Sequence, residues 1–540
     1  MAGFLSDENP SSVHSFDEGF VSRRVGTMNP VSEIELKFGL SDAAADAVDA
    51  ALRRRGAKVT TIRSRYWDSA DRRLARAGVS LRVRRSGDRW EQTVKGAGAS
   101  PVERLEETVP RPGDWGEDGP PAEPWYHAGN KAGALLDRAL SRRGGRVPAL
   151  EPVFTSVVER RAMHVVMPGA DVEVAFDRGA VHAGDRSLPV CEVELELKHG
   201  DVVALIELGR GSVEAHGMWL STIAKSARGE RLAGGSAASQ ATKAKAPRLG
   251  DATSGAAIFR AVVRSCVDQV LANASVIAAG DVDDDAVHQL RIGLRRLRTA
   301  WRELGAWRGS LGPEWEVSAA EVFRGLGAYR DRQTVAASML HRLAAAGSPE
   351  PALRLVVAHA IDPVALVRAK AFQHALLDLL AYLLEPLPGT RGSDARGGDG
   401  ADDKPPEVVI GRNLARLHAR LKHDAKRFES LGELDRHRVR KRLKRLRYLS
   451  ELVGSLYKTG KVERFLHALE PAQDELGRYM DLVVATRLAK EGVDAGDARA
   501  WFNVGWLQAQ LPRAVERCGK ALGRVSAAEP FWHAASPRRK

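Results

Sequence analysis

The chain has 540 residues, enough for several domains that each bury a core, and a formal net charge of +13 that favours polyanionic partners such as nucleic acid, anionic membrane or polyphosphate. Its three cysteines, Cys191, Cys266 and Cys518, are far apart in sequence, so neither a disulfide framework nor a Cys-rich metal site is suggested and a reducing cytoplasm is the expected setting. No apolar run reads as long enough to span a bilayer and the N-terminus lacks the layout of a signal peptide, so no membrane association is expected.

Residues 1–29 are rich in Ser, Asp, Glu and Gly, lack periodicity and are expected to form a disordered tail. Glu33-Ile34-Glu35-Leu36-Lys37 then alternates with period two, as a β-strand does. Glu33, Glu35 and Lys37 share one face of it. Two carboxylates and an ammonium in a row suit a wet cavity that holds a hard divalent cation and an anion; a solvated outer face is the plain alternative. Asp42 to Arg55 reads as a helix that ends before Gly56. Strands follow over Val59–Asp68, Val79–Arg85, Arg89–Lys95 and Val102–Val109. A Pro/Gly/Trp-rich insertion near 110–130 reads as a surface loop, and Lys131–Arg143 as a helix. Val153–Val166, Asp171–Phe176 and Pro189–Lys198 add strands, and the last repeats the charged alternation through Glu192, Glu194 and Glu196. Val202–Leu208 and Val213–Ala227 read as helices. Many antiparallel strands with inward charges predict a barrel that encloses a lumen.

Residues 233–254, rich in Gly, Ser, Ala, Thr and Lys, read as a flexible linker. Strand signals then stop, and Ala/Leu/Arg-rich helical periodicity continues over 255–530, broken by a Pro/Gly-rich insertion at 388–406 that is expected to be disordered. The insertion separates two copies of one pattern, within repeats at about 255–387 and 407–525. His288, Arg291, Arg295, Arg296 and Arg298 recur as His437, Arg440, Lys444, Arg445 and Arg447. Each set falls on one side of a helix. Leu290, Leu294, Leu297 and Trp301, and then Val439, Leu443, Leu446 and Ser450, fall on the other side. Leu326-Gly327 with Asp331 matches Leu476-Gly477 with Asp481.

The first half resembles the CYTH family of triphosphate tunnel enzymes. The resemblance rests on Glu33-x-Glu35-x-Lys37, Tyr66-Trp67-Asp68, Leu81-Arg82-Val83-Arg84, Thr93-Val94-Lys95, Arg104-Leu105-Glu106, the Glu192 strand and Lys225-Ser226-Ala227-Arg228-Gly229, in family order over about 30–232. It implies an eight-stranded antiparallel tunnel with helices packed outside. Glu33, Glu35, Glu192 and Glu194 become candidate ligands of Mg2+ or Mn2+, with Glu196 a further one. Glu33, Glu35 and Lys37 are candidate catalytic groups. Lys37, Arg82, Arg84, Lys95, Arg104, Arg160 and Lys225 are candidate phosphate binders, and Arg65 joins them. Thr108 stands where the family has the second Glu of Arg-x-Glu-x-Glu, which puts one carboxylate of the site in doubt.

The second half resembles the CHAD family of conserved-histidine α-helical domains. That resemblance implies two pseudo-symmetric helical bundles with a basic central surface that binds inorganic polyphosphate. His288, Arg291, Arg295, Arg296, Arg298, His437, Arg440, Lys444, Arg445 and Arg447 are the candidate contacts. The whole chain is therefore expected to be an α+β protein: a tunnel that hydrolyses inorganic triphosphate, followed by an all-α polyphosphate-binding domain, with association with polyphosphate granules as an extension. Three alternatives stay open: a non-catalytic polyphosphate binder, and a hydrolase or a cyclase acting on organic triphosphates such as ATP or thiamine triphosphate. Nucleic acid is not expected, because neither basic stripe carries interleaved aromatics for base stacking.

Overall fold

The computed structural model describes residues 32–98, 102–141, 148–236, 239–330, 335–349, 361–385, 405–494 and 496–533. The expected N-terminal tail, Asp331 and nearly all of the 388–406 insertion lie outside the described residues. By packing, the chain divides into two compact units. The first contains the residues up to Ala241 together with Ala274–Asp281 and Val367–Leu384; the second contains Thr242–Asn273, Val282–Leu366 and Glu385 onward.

In the first unit the strands are β1 (Ser32–Gly39), β2 (Lys58–Ser69), β3 (Ser80–Ser86), β4 (Arg89–Ala97), β5 (Glu103–Pro110), β6 (Leu150–Met167), β7 (Ala170–Ala183), β8 (Arg186–Gly200) and the short β9 (Trp219–Leu220). They run in the order β5-β4-β3-β2-β6-β7-β8-β1, and β1 pairs back onto β5, so eight strands close into a barrel. Neighbouring strands are antiparallel throughout. Closure gives every strand an inner and an outer face, and period-two alternation then sorts the side chains. On β1, Leu36 and Phe38 point outward and are fully buried beneath a helix. Leu81, Val83 and Val94 do the same beneath Leu136 and Leu140. Register slips occur between β2 and β6 at Tyr66/Trp67 and between β7 and β8; the latter, between Asp171↔His199 and Val172↔Leu197, leaves Lys198 as the extra residue of β8, and both Leu197 and Lys198 border the lumen.

The helices are α1 (Asp42–Arg54), α2 (Arg73–Arg76), α3 (Lys131–Leu140), α4 (Val202–His216), α5 (Lys225–Ala233), α6 (Gly255–Ala278), α7 (Asp284–Leu304), α8 (Glu314–Arg330) and α9 (Ala336–Ala345). They continue with α10 (Pro363–Arg368), α11 (Lys370–Leu384), α12 (Pro406–Arg427), α13 (Glu433–Val453), α14 (Thr459–Asp494) and α15 (Ala500–Ala527). The two helices expected over 202–227 are arranged differently. α4 runs through Gly209, where a larger residue would meet Leu36 and Phe38, and stops at Gly217 (φ +60°); β9 intervenes before α5.

In the second unit α7 packs on α8 and α13, α13 on α12 and α14, and α15 on both α12 and α14. The apolar stripes seen in the sequence are its core: Leu290, Leu294, Leu297, Val439, Leu443, Leu446 and Ser450 are all buried. Residues 239–254, read from composition as a linker, contain no helix or strand. Side chains nevertheless hold them: Asn273 accepts from Thr242 N and donates to Thr242 O, and Arg296 and Ser265 donate to Lys245 O. α6 corrects the hydropathy reading. By length and composition it could cross a membrane, but 72% of its apolar window is buried inside the fold, which accounts for that surface.

Gly229 of α5 lies flat against Phe154, which stacks on Tyr66 with ring centroids 4.4 Å apart; a Cβ at Gly229 would stand 2.1 Å from the Phe154 ring. Gly229→Ala is expected to destabilise the barrel by about 1–3 kcal/mol, since either the ring or the helix must move. Calorimetry of the full chain should show the lower transition, and adding Phe154→Leu should recover part of the loss.

Candidate functional site

The inner faces of the eight strands enclose a cavity of about 780 Å³. Glu33, Glu35 and Lys37 of β1, Arg82 and Arg84 of β3, Lys95 of β4, Arg104 of β5, Arg160 of β6, Glu194 and Glu196 of β8, and Lys225 at the start of α5 all line it. Eight Lys/Arg and seven Asp/Glu side chains face it; Glu107, which also borders it, turns its carboxylate outward to His127 and Asn130. Glu192, fully buried, contacts the lining residues Lys37 and Lys225. Arg65 is the exception: it points outward and pairs with Asp118.

The charges are gathered into two knots. In the first, Asp177, Glu192 and Glu194 offer carboxylate oxygens that all lie within 4.8 Å of one another. The Lys225 ammonium is in their midst, 2.6 Å from Asp177, 2.5 Å from Glu192 and 3.0 Å from Glu194. Lys37 adds contacts of 3.3 and 2.9 Å to Glu192 and Glu194. Arg160 grips Asp177 at 2.7 Å and reaches Glu194 at 2.5 Å, while Arg228 stands 3.1 Å from Glu192. Burial alone would push the Glu192 and Glu194 carboxyls up. The neighbouring Lys225 and Lys37 outweigh it, holding Glu192 down at about 2 and Glu194 well below the carboxylate range. Three clustered hard-oxygen donors suit a divalent cation.

The second knot joins Glu33, Glu106, Lys95 and Arg82. Lys95 contacts Glu33 at 3.2 Å and also Glu106, and Arg82 reaches Glu106 at 3.5 Å. Burial, followed by the hydrogen bond to Glu106, pushes Glu33 up to about 9. Burial works against Glu106 as well, but the bond from Glu33 and the charges of Lys95 and Arg82 hold it low, so the two carboxyls share one proton. Arg104 pairs with Glu35 at 3.5 Å. Of the four expected metal ligands, Glu33, Glu35 and Glu194 line the cavity and Glu192 lies against its lysines, and only Glu192 and Glu194 belong to the compact trio. Its third member, Asp177, was missed because the strand reading stopped at Phe176; one further period from Glu173 and Ala175 reaches it. Glu106 and Arg228 lay inside motifs already quoted. At the departure from the family pattern, the Thr108 hydroxyl meets Thr93 at 3.0 Å and Glu106 at 3.4 Å.

In the second unit the centres of the two basic stripes come together. Burial first, then Arg295, Arg440, Arg291 and Arg330, push the Lys444 amine down to about 5. Burial, then Arg330, Lys444, Arg291 and Arg295, push His288 down to about 4. His437 is lowered by burial and by Lys441, Arg440, Arg295 and Lys444. Arg291 and Arg295 lie over the Phe323 ring at 5.2 and 5.0 Å, and Gly327 leaves room for Arg291, whose guanidinium would be 3.0 Å from a Cβ there. Arg330, which follows the Leu326-Gly327 cue, is an addition to the expected set.

The flanks of the stripes lie elsewhere. Arg296 is a correction: it is 1% exposed, and its guanidinium bonds Gln269, Lys245 O and Ser265. Arg298 pairs with Glu316, Arg445 with Glu303, and Arg447 with Glu451 and Gln473. The reason is angular. At about 100° per residue, positions eight and ten after the histidine sit roughly 80° to either side of it, where helices α6, α8, α12 and α14 pack.

Comparison with known proteins matches this geometry at the level of families. The CYTH domain model matches residues 32–228 and the CHAD domain model residues 261–490. The chain is a CYTH domain followed by a CHAD domain. An inorganic triphosphatase of Haemophilus influenzae is 32% identical over 83 residues; that match spans 15% of this chain and 24% of the relative. The crystal structure of a CHAD domain from Ricinus communis is similar at 28% identity, with 56% of this chain and 97% of that one covered and a TM-score of 0.42. A Hippeastrum protein named for adenylyl cyclase activity, and described as having a dominant triphosphatase activity, is similar at 16% identity, with 38% of this chain and 96% of that one covered and a TM-score of 0.26.

Asp177→Asn removes a fully buried anion that both Arg160 and Lys225 need. The loss should cost the barrel about 3–5 kcal/mol, because two buried cations are left short of a partner. Urea unfolding of the full chain checks it, and a change below about 1 kcal/mol would show that the trio is well solvated.

Proposed function

We propose that the barrel is a divalent-metal-dependent hydrolase of inorganic triphosphate and that the helical domain binds inorganic polyphosphate in the cytoplasm, at polyphosphate granules. The observation that carries the first part is the balance of charge at the cavity, eight cations against seven inward acids and the adjoining Glu192. A chain of phosphates gains little from a neutral lumen. It gains much once Asp177, Glu192 and Glu194 have another cation to hold, because Lys37 and Lys225 are then released toward phosphate oxygens. Asp177, Glu192 and Glu194 are the residues that would hold Mg2+ or Mn2+, which would neutralise charge as a P–O bond breaks. Arg82 and Arg84, two residues apart on one inner face, would hold the phosphate chain extended. A carboxylate of the Glu33–Glu106 pair, sharing one proton, stands ready to orient an attacking water.

The lining also supports an inorganic rather than an organic substrate. Tyr66 is the only aromatic ring among the described lining residues, and its face is taken by Phe154. A nucleobase or thiamine ring would find no stacking platform there. The test is a phosphate-release panel comparing triphosphate, ATP, thiamine triphosphate, pyrophosphate and long polyphosphate, with and without Mg2+ or Mn2+. Triphosphate should be cleaved fastest and only with metal; a cyclic nucleotide product from ATP would replace this reading with a cyclase. Glu194→Gln should lower turnover by about 10²-fold or more. Arg84→Ala should mainly raise KM, by about tenfold or more.

For the helical domain, the supporting feature is the crowd of cations that strips charge from Lys444 and His288. A bound polyanion would return those protons, raising both pKa values. More protons are then bound in the complex than in the free protein, so affinity should rise as pH falls through neutrality. It should level off below about 4–5, where Lys444 and then His288 are already charged in the free protein. Affinity should also fall steeply with salt. Titration of the full chain with long polyphosphate across pH and salt, with Lys444→Met flattening the pH dependence, tests this. Equally tight binding of duplex DNA would overturn the assignment.

A further inference from the structure

The cavity of the barrel depends on a segment that is not part of the closed barrel. Trp219–Thr222 carries β9 and leads, three residues on, to Lys225. Its backbone amides are satisfied alternately from two sides. Ser221 N donates to Lys37 O at 2.8 Å, which ties the segment to β1 directly behind a cavity lysine. The amides on either side turn away from the barrel. Leu220 N donates to Gln373 Oε1 at 2.8 Å, and Thr222 N donates to Ser275 Oγ at 2.9 Å. The Arg368 guanidinium covers the Trp219 ring at 3.6 Å and donates to Ala278 O at 2.8 Å. Gln373 is itself fixed, since its amide donates to Val367 O at 2.7 Å.

Ser275, Arg368 and Gln373 belong to the stretch matched by the CHAD model, yet they pack in the same compact unit as the barrel. The contact around them is broad. Leu377 of α11 lies beside Gly209 of α4, together with Leu36 and Phe38 of β1. Arg210 pairs with Asp378, and Glu214 with His374 at 2.7 Å and Lys370 at 3.1 Å. Ser275 and Gln373 are each 1% exposed, and the bond from Leu220 N to Gln373 is buried, so losing that acceptor would leave a buried amide unsatisfied.

We propose that Ser275, Arg368 and Gln373 are positioning residues of the barrel's cavity. They hold Trp219–Thr222 so that Lys37 and Lys225 stay in register with Asp177, Glu192 and Glu194. The inference rests on the reading above that these lysines turn to the phosphate chain, and it makes grip on triphosphate depend on residues contributed by the CHAD stretch. α5 is anchored independently at its middle, where Gly229 meets Phe154, so loosening the segment should disturb chiefly its first turn, which carries Lys225.

The experiment uses the full chain with Ser275→Ala and Gln373→Ala together, and Ser275→Ala alone in case the pair does not fold. Expected are faster amide hydrogen exchange in residues 219–224, by about tenfold or more, and a KM for triphosphate raised by about tenfold with kcat changed far less. Polyphosphate binding and total helicity should be unchanged. Ser275→Thr, which keeps the acceptor oxygen, should exchange and turn over as the parent does. Unchanged exchange and unchanged KM in the variants would overturn the proposal, as would an equal fall in kcat with KM constant. If the parent releases no phosphate from triphosphate, the functional reading fails on its own, and the exchange rates still decide whether Ser275 and Gln373 hold the segment.

Discussion

A carboxylate buried in protein persists as an anion only beside a cation, and the barrel is built around that constraint. Asp177 and Glu192 are fully buried, and with Glu194 they are neutralised by Lys37, Lys225, Arg160 and Arg228. Each of these seven residues comes from β1, β6, β7, β8 or α5, so the knot crosses more of the barrel than any single strand pairing does. Were one strand to slip by a residue, its charges would turn outward and its apolar residues inward. The charge pattern thus sets the register as well as the site.

Closure makes this arrangement affordable in the physical sense: a closed sheet has no unpaired edge, so its inner face can be given wholly to polar groups while the outer face supplies the core. Leu36 and Phe38 beneath α4, and Leu81, Val83 and Val94 beneath α3, provide the burial that an open sheet would seek on both faces. Phe154 stacked on Tyr66 closes the wall on the side of α5.

Most of the inner face was legible because period two is a strict rule. Once Glu33, Glu35 and Lys37 are on one side, Leu36 and Phe38 must be on the other. Asp177 was hidden by the end of a strand, where alternation through Ala175 offers little contrast. β9 was hidden because two residues carry no periodicity, and α4 because Gly209 and Gly211 look like a break; in fact Gly209 makes space for β1. The place of Ser275 and Gln373 was not legible at all. Their contacts lie more than 50 and 150 residues away, with Thr222 and Leu220, and a helix turn with one Ser or Gln says nothing of the amide that donates to it.

The helical domain meets the same electrostatic constraint in the opposite way. The flanking cations of each stripe found anions or carbonyls: Arg296 at Lys245 O, Arg298 at Glu316, Arg445 at Glu303 and Arg447 at Glu451. The central ones lie within reach of one another. The influences that dominate at Lys444 are burial and four arginines, and the amine gives up its proton rather than its position. Holding like charges together costs folding stability, which a protein core has no reason to sustain. On the proposed reading, a bound polyanion would relieve the mutual repulsion of Arg291, Arg295, Arg440 and Lys444 and recover part of that free energy. On the same reading, the acids neutralised by lysines in the cavity would take up a further cation, and the crowded cations of the helical unit a further anion.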